Sequence, residues 1–294
     1  MNGKDYIVKA VAEEAQVRIW LADTTNLTRE AKGRHGASGL SAAVLGKVLT
    51  AAVMMASDLK TPEGILTIKV DGNGAAGMVV ATADNQGRVR GFITNPAAEG
   101  GRAETEAART GEIVGTAGIL EVYKDLGLKQ PFSSRVELVN GEIDEDLIYY
   151  LKVSEQIEAS VTLEVLLDRD MEIMAAGGII AQSLPRGRPE VFQAVEKNLT
   201  RLRELKMNFY KNSGHEILEE LTRGLDFEIL SVLEAEFKCD CYRERLLGII
   251  GGMSREEINY SFKDKDEIEV LCNFCNTKYY FTKGQIKAYS SSQH

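Results

Sequence analysis

The chain has 294 residues, of which 44% are hydrophobic and 27% are charged, and its formal net charge is -9. This composition is typical of a globular protein and excludes a disordered one, and the length allows a large core plus a smaller unit. The acidic balance argues against general attraction to nucleic acid or to an anionic membrane surface. We therefore expect no nucleic-acid partner and no membrane partner.

The N-terminal sequence MNGKDYIVKAVAEEAQ has no apolar h-region, so it does not resemble a secretory signal. A longer apolar segment, SGLSAAVLGKVLTAAVMMAS, contains Lys47 and many alanines, which favours a buried core helix over a membrane span. These features predict a cytoplasmic protein. In that compartment cysteines stay reduced unless they bind a metal or take part in redox chemistry.

The first predicted region, residues 1–182, mixes strands and helices. Helices are predicted at roughly 38–58 and at 143–153. Alternating or clustered apolar residues predict strands in YIVKAVA, VRIWLAD, ILTIKV, MVVATA, RVRGFIT, ASVTLEVLLD and EIMAAGGIIAQSL. Because the strands come in runs and do not alternate strictly with helices, we predict an α+β fold with a mixed sheet and helix core.

The second predicted region, residues 183–231, begins at LPRGRPE, where two prolines and a glycine mark a boundary. The charged stretch that follows is predicted to be a helical linker to about Val232, with a narrow apolar face. That face comprises Val191, Ala194, Val195, Leu199, Leu202 and Leu205. The simplest interpretation is a solvated helix packed on the core. A segment with so narrow an apolar face would also lose its structure easily without its docking surface.

The third predicted region, residues 232–294, contains all the cysteines: Cys239, Cys241, Cys272 and Cys275. An extended Cys-x-Cys places two side chains on one face, and a Cys-x-x-Cys turn points two sulfurs at one ion. Four thiolates around one ion predict a structural zinc site, with an iron–sulfur centre as the lesser alternative. Because a module of this size has little core of its own, removing the zinc should largely unfold it.

The remaining motifs do not indicate an enzyme, and we predict no catalytic residue. GNGAAG at 72–77 matches the dinucleotide-binding pattern, but a strand follows it where a helix is needed, which favours a glycine-rich hairpin. GRHGASG at 33–39 lacks the Lys-Ser/Thr ending of a phosphate loop. We interpret it as a turn with a helix N-cap at Ser38, and we expect His35 to be structural.

The stretches KCDCYRER and VLCNFCNTKYYF, with the interval between them, resemble the C-terminal module of the redox-regulated 33 kDa heat-shock chaperonin family of bacterial cytosolic holdases. The core is similar to that family as well, in the same order along the chain. The matching stretches are GRHGASGLSAAVLGKVLTAA, VDGNGAAG, VRGFITNP, YKDLGL, YYLKVSEQI and AAGGIIAQSLP. The resemblance therefore covers nearly the whole chain.

The resemblance implies an ATP-independent chaperone whose reduced, zinc-bound form is inactive. It implies that peroxide or hypochlorite under unfolding conditions forms the disulfides Cys239–Cys241 and Cys272–Cys275 and releases the zinc. The module would then unfold and destabilise the linker, exposing apolar surface to unfolding client proteins, and oxidised subunits would form homodimers. Two alternatives remain open from the residues alone: a constitutive zinc-clipped protein- or nucleic-acid-binding module without redox regulation, and a dinucleotide-dependent enzyme using GNGAAG.

Overall fold

The computed structural model describes residues 3–14, 16–100, 109–185, 187–204, 209–263 and 265–292. Leu205 of the predicted apolar face lies outside these ranges. The strands are β1 Tyr6–Ala12, β2 Val17–Asp23, β3 Ile65–Gly72, β4 Met78–Asp84, β5 Arg88–Ile93, β6 Gly118–Asp125, β7 Phe132–Glu137, β8 Ala159–Leu167, β9 Ile173–Ser183, β10 Phe227–Glu234, β11 Glu236–Phe237, β12 Glu267–Leu271 and β13 Lys278–Thr282. The helices are α1 Thr25–His35, α2 Gly39–Ala56, α3 Gly111–Val114, α4 Ile143–Val153, α5 Pro189–Glu204, α6 Gly214–Leu221, α7 Arg243–Gly251, α8 Arg255–Phe262 and α9 Lys283–Ser292. The mixture confirms the predicted α+β class, and the chain separates into two compact units, Met1–Lys238 and Cys239–His294.

Helix α2 forms the centre of the first unit. It has apolar residues on every side, with Lys47 as its one charged residue, and all of its residues except Met55 are buried. Its mean hydropathy of 1.7 would suit a membrane span. However, 94% of its 18 residues are buried inside the protein, which confirms the predicted core helix. The predicted N-cap is also confirmed, since the backbone N–H of Ser41 donates to Ser38 Oγ at 3.2 Å.

Two sheets pack against α2 in the first unit. One has the strand order β11-β5-β4-β3-β6-β7, in which only the β11–β5 pair is parallel among the pairs described, and the other has the order β10-β1-β2-β9-β8 and is antiparallel. The five-stranded sheet is covered on both faces, because side chains alternate along a strand. In β2, for example, Ile19 and Leu21 join the apolar cluster under the linker helices, while Trp20 lies on the opposite face.

Helices α5 and α6 cover that face of the five-stranded sheet. Of the predicted linker face, Val191, Val195, Leu199 and Leu202 are buried there, and Phe192 is buried with them. The two helices are linked to each other by the side chain of Asn198, whose Nδ2 donates to the carbonyl oxygens of Leu221 at 3.0 Å and Arg223 at 2.9 Å. The linker thus lies docked through one apolar face.

The end of the predicted helical region differs from the structure. Helix α6 ends at Leu221, and the chain then forms strand β10, which pairs antiparallel with β1. Because β10 is an edge strand with Ile229, Leu230 and Val232 exposed, its sequence lacks the alternation of a half-buried strand. The first compact unit extends to Lys238, so the start of the predicted 232–294 region belongs to it. The division into core, linker and redox-switch domain stays a prediction.

The second unit contains α7, α8, the β12–β13 hairpin and α9. Helices α7 and α8 lie within the stretches YRERLLGII and SREEINYSF and their flanking residues, and strand β12 has the sequence EIEVL. In the described part of this unit, the buried apolar cluster consists of Ile250, Phe262, Phe281 and Ile286, with six half-buried apolar residues packed against it. This core is small for a unit of independent fold.

Candidate metal centre

The four cysteines are held by two irregular segments of the second unit. Cys239 and Cys241 lie in the stretch without regular structure that precedes α7, and Cys272 and Cys275 lie in the turn that joins β12 to β13. The turn is fixed by its own backbone. The N–H of Cys272 donates to the carbonyl of Thr277 at 3.0 Å, and the N–H of Asn276 donates to that of Cys272 at 2.7 Å. Asn276 has a φ of 56°, a left-handed conformation that asparagine tolerates well.

The sulfurs of all four cysteines lie within 4.8 Å of one another. Two contacts join the pairs: Cys239 Sγ is 3.7 Å from Cys272 Sγ, and Cys241 Sγ is 3.2 Å from Cys275 Sγ. Four sulfurs at ~2.3 Å from a tetrahedral zinc would be about 3.8 Å apart, so the cluster has the size that a four-thiolate metal site needs. Cys272 and Cys275 are buried and the other two are half-buried, which suits a closed site. The sequence-predicted ligands are therefore brought together.

Two hydroxyl groups contact the sulfurs. Tyr279 Oη lies 3.3 Å from Cys241 Sγ and donates to the carbonyl oxygen of Cys241 at 3.0 Å. Thr277 Oγ1 lies 3.2 Å from Cys275 Sγ. Neither residue was singled out from the sequence. The available signal was their position two and four residues after the last cysteine, at the end of the turn and in the strand that follows it.

The environment has opposite effects on the thiols. Burial raises the pKa of Cys239 and of Cys241, because it disfavours the charged thiolate. Burial acts in the same direction on Cys275, but hydrogen bonds with Thr277 and with the neighbouring cysteines outweigh it and lower its pKa to about 7. A cation bound among the sulfurs favours the thiolate at every position, since metal ligands must be deprotonated.

Two basic residues near the cysteines in sequence, Arg243 and Lys278, make their contacts within and around the β12–β13 hairpin. Arg243 donates to the carbonyl of Tyr280 at 2.6 Å and to Gln285 Oε1 at 2.9 Å, and its guanidinium lies 4.5 Å from the centre of the Phe281 ring. Lys278 pairs with Glu269 at 3.2 Å. These contacts fasten the hairpin to its surroundings.

The other sequence motifs have structural roles. Strands β3 and β4 pair antiparallel on either side of GNGAAG, so no helix begins there and the hairpin interpretation is confirmed. A Cβ on Gly74 would lie 2.2 Å from the carbonyl oxygen of Ile113, so the glycine permits close contact between this loop and α3. His35 Nε2 lies 2.9 Å from the carbonyl oxygen of Gly91, which supports the structural role expected for it.

The fold and the site define an α+β protein with a C-terminal module of four cysteines that could hold a metal ion. The family model described as Hsp33 protein matches residues 5–282. A 33 kDa chaperonin of Clostridium beijerinckii is 38% identical over 284 residues, covering 96% of this chain and 97% of the relative. A 33 kDa chaperonin of Bacillus subtilis is also 38% identical, with 96% and 97% covered.

A solved structure agrees with the sequence comparisons. The crystal structure of a 33 kDa chaperonin (heat shock protein 33 homolog) from Thermotoga maritima matches with a TM-score of 0.87 and 31% identity, covering 99% of both chains. The chain belongs to the Hsp33 family. Membership of this family supports the assignment of the chain to the chaperones.

Proposed function

We propose that this protein is a redox-regulated, ATP-independent holdase of the cytoplasm, which binds unfolding client proteins under oxidative stress. One zinc ion held by Cys239, Cys241, Cys272 and Cys275 keeps the reduced form inactive. The observation that carries the proposal is the convergence of four sulfurs within 4.8 Å in a chain whose relatives are named chaperonins. The proposed activity involves no enzymatic reaction, no nucleic acid and no membrane.

The small core of the second unit supports a role for the metal in folding. Among the residues that the structure describes, its buried apolar cluster has four members with six half-buried neighbours, which is a small core for a unit of this size. In such modules the free energy of metal binding is also free energy of folding. Loss of the zinc therefore unfolds the module.

Oxidation removes the ligands in pairs. Two thiolates and one molecule of hydrogen peroxide give one disulfide and two hydroxide ions, and two such steps leave the zinc without ligands. The observed sulfur contacts join cysteines 33 and 34 residues apart, Cys239 to Cys272 and Cys241 to Cys275. In an unfolding chain, however, cysteines two or three residues apart meet far more often, because short loops have the smallest closure entropy. We therefore propose the local disulfides Cys239–Cys241 and Cys272–Cys275.

The docked linker supports a client surface in the first unit. Helices α5 and α6 cover an apolar sheet face that includes Ile19 and Leu21, which would bind unfolded chains once uncovered. In the proposed mechanism the unfolded module destabilises this linker, the face becomes available, and oxidised subunits form homodimers. Reduction of the disulfides and binding of zinc reverse these steps.

The test combines metal, thiol and client measurements on the reduced, zinc-loaded full chain. Peroxide with mild heat should release about one zinc per chain, remove all four free thiols and start the suppression of client aggregation. Peptide mapping should find Cys239 joined to Cys241 and Cys272 joined to Cys275. If the reduced zinc form protects clients equally well, the switch is wrong. If replacing Cys239 and Cys272 by serine abolishes client binding under all conditions, the constitutive zinc-clipped module is the correct interpretation.

A further inference from the structure

The hydroxyl of Tyr279 is fixed against one particular cysteine. Its Oη lies 3.3 Å from the sulfur and 3.0 Å from the carbonyl oxygen of the same residue, Cys241. Cys241 precedes α7, whereas Tyr279 belongs to β13, so the contact joins two segments 38 residues apart. Among the described residues, the sulfurs of Cys239 and Cys272 have no comparable hydroxyl neighbour.

The ring that carries this hydroxyl is held in place by packing. Tyr279 packs against the apolar cluster of the module, and its ring lies nearly parallel to that of Phe281, with 6.5 Å between centroids and 14° between planes. Phe281 is fully buried and lies under the guanidinium of Arg243. The hydroxyl therefore keeps its place beside Cys241 for as long as the module is folded.

The hydroxyl has one proton for two acceptors. Oη donates this proton to the carbonyl oxygen of Cys241 at 3.0 Å, and the sulfur of the same residue lies within reach of it at 3.3 Å. When the proton is donated to the sulfur, a hydrogen bond forms on the atom that an oxidant attacks. This bond withdraws electron density from the lone pair with which the sulfur would attack an oxidant.

On the basis of the proposed function, we propose that Tyr279 is a positioning residue of the switch, whose hydroxyl holds and shields the Cys241 sulfur and so slows the loss of this sulfur from the cluster. Cys241 thiolate attacks hydrogen peroxide to form a sulfenic acid, and hydroxide leaves. A second cysteine thiol displaces water from the sulfenic acid to form the disulfide. The oxidant gains two electrons and the two sulfurs lose them. Tyr279 slows the first of these steps.

Tyr280 provides a matched control on the same strand. It is the next residue, so its side chain points to the opposite face, where its hydroxyl donates to Glu269 Oε2 at 2.8 Å. Tyr279→Phe and Tyr280→Phe each remove one oxygen atom and keep the ring. Only the first removes a group that contacts a sulfur. Zinc content and hydrogen exchange of the module establish that both variants are folded.

The experiment uses full-length, zinc-loaded protein and measures zinc release into a chelating dye, first with a competing chelator alone and then with hydrogen peroxide. Tyr279→Phe should release zinc about tenfold faster than the wild type in both conditions, and Tyr280→Phe should match the wild type. Partial alkylation followed by peptide mapping also gives the labelling of Cys241 relative to Cys239 within the same sample. In Tyr279→Phe, labelling of Cys241 should rise relative to Cys239, a change that general loosening of the module would not produce.

The outcomes separate the two proposals. If the wild type releases zinc with peroxide and Tyr279→Phe behaves identically, the role of Tyr279 is overturned and the switch stands. If the wild type keeps its zinc under peroxide, the switch is overturned, and chelator-driven release still decides whether Tyr279 holds Cys241. Equal acceleration in Tyr279→Phe and Tyr280→Phe, or an unchanged labelling ratio, would also overturn the role of Tyr279.

Discussion

Replacing Leu199 by alanine should loosen the linker without touching the cysteines. Leu199 lies on the buried face of α5 and is 5% exposed, within the cluster formed by α5, α6 and the five-stranded sheet. A buried leucine replaced by alanine costs about 2–5 kcal/mol. Because a cost of ~1.4 kcal/mol changes an equilibrium tenfold, even the low end raises the population of undocked linker roughly 30-fold.

Hydrogen exchange with mass spectrometry can measure this loosening on the reduced, zinc-loaded protein. Amides of α5 and α6 should lose protection by about 30-fold or more, while β8 amides on the same sheet should change much less. Lys197→Ala is the matched control, since Lys197 is exposed on the same helix. The variant should also suppress client aggregation partially before any oxidant is added. Equal loss of protection in β8 and α5 would refute the idea that the linker undocks separately from the core.

Three other changes test separate parts of the structure. Chelating the zinc should unfold the second unit, whereas the fluorescence emission of Trp20, the single tryptophan, should not change because the core stays folded. A shift in the emission of Trp20 would contradict this. Gly46→Ala should destabilise the core by about 1–3 kcal/mol in urea unfolding. A Cβ there would lie 2.4 Å from Thr28 Cγ2, whereas one on Gly33 would meet nothing within 4 Å, so Gly33→Ala should be neutral or stabilising. Burial opposes ionisation of Glu142, but hydrogen bonds from Thr110 and Gly111 and the charge of Lys47 prevail and lower its pKa. The stability that this carboxylate contributes is present above its unfolded pKa and is lost as the pH falls through its folded pKa. The urea midpoint of Glu142→Gln should therefore depend less on pH in the acid range than the midpoint of the wild type. Equal pH dependence of the two midpoints would contradict this.

The core helix and the cysteine cluster could be predicted because their signals are local and strong. Helix α2 has apolar residues on every side and Lys47 as its one charged residue, and in a globular protein such a helix is buried. The cysteines are the only thiols in the chain, and their paired spacing suits one ion. The hairpin at GNGAAG could likewise be recognised from the strand that follows it.

Other features depend on contacts that the sequence does not display. Strand β10 follows a charged helical stretch and is stabilised by backbone pairing with β1 at a sheet edge, so no buried face marks it. Helix α1 was not predicted, because only Leu27, Thr28 and Ala31 of its eleven residues are buried. The role of Tyr279 depends on a contact across 38 residues, which no local pattern contains.

The linker is anchored at both ends to the sheet that it covers. It leaves from β9 and returns to β10, and β1 and β2 lie between these strands in the order β10-β1-β2-β9. Its ends are therefore held about 14 Å apart by the ~4.8 Å spacing of neighbouring strands. If α5 and α6 undock as proposed, the segment becomes a tethered loop and not a free tail, so its own apolar face would be present at high local concentration and would compete with a bound client. Under the proposed function, return of this loop to its sheet would then drive client release without nucleotide hydrolysis.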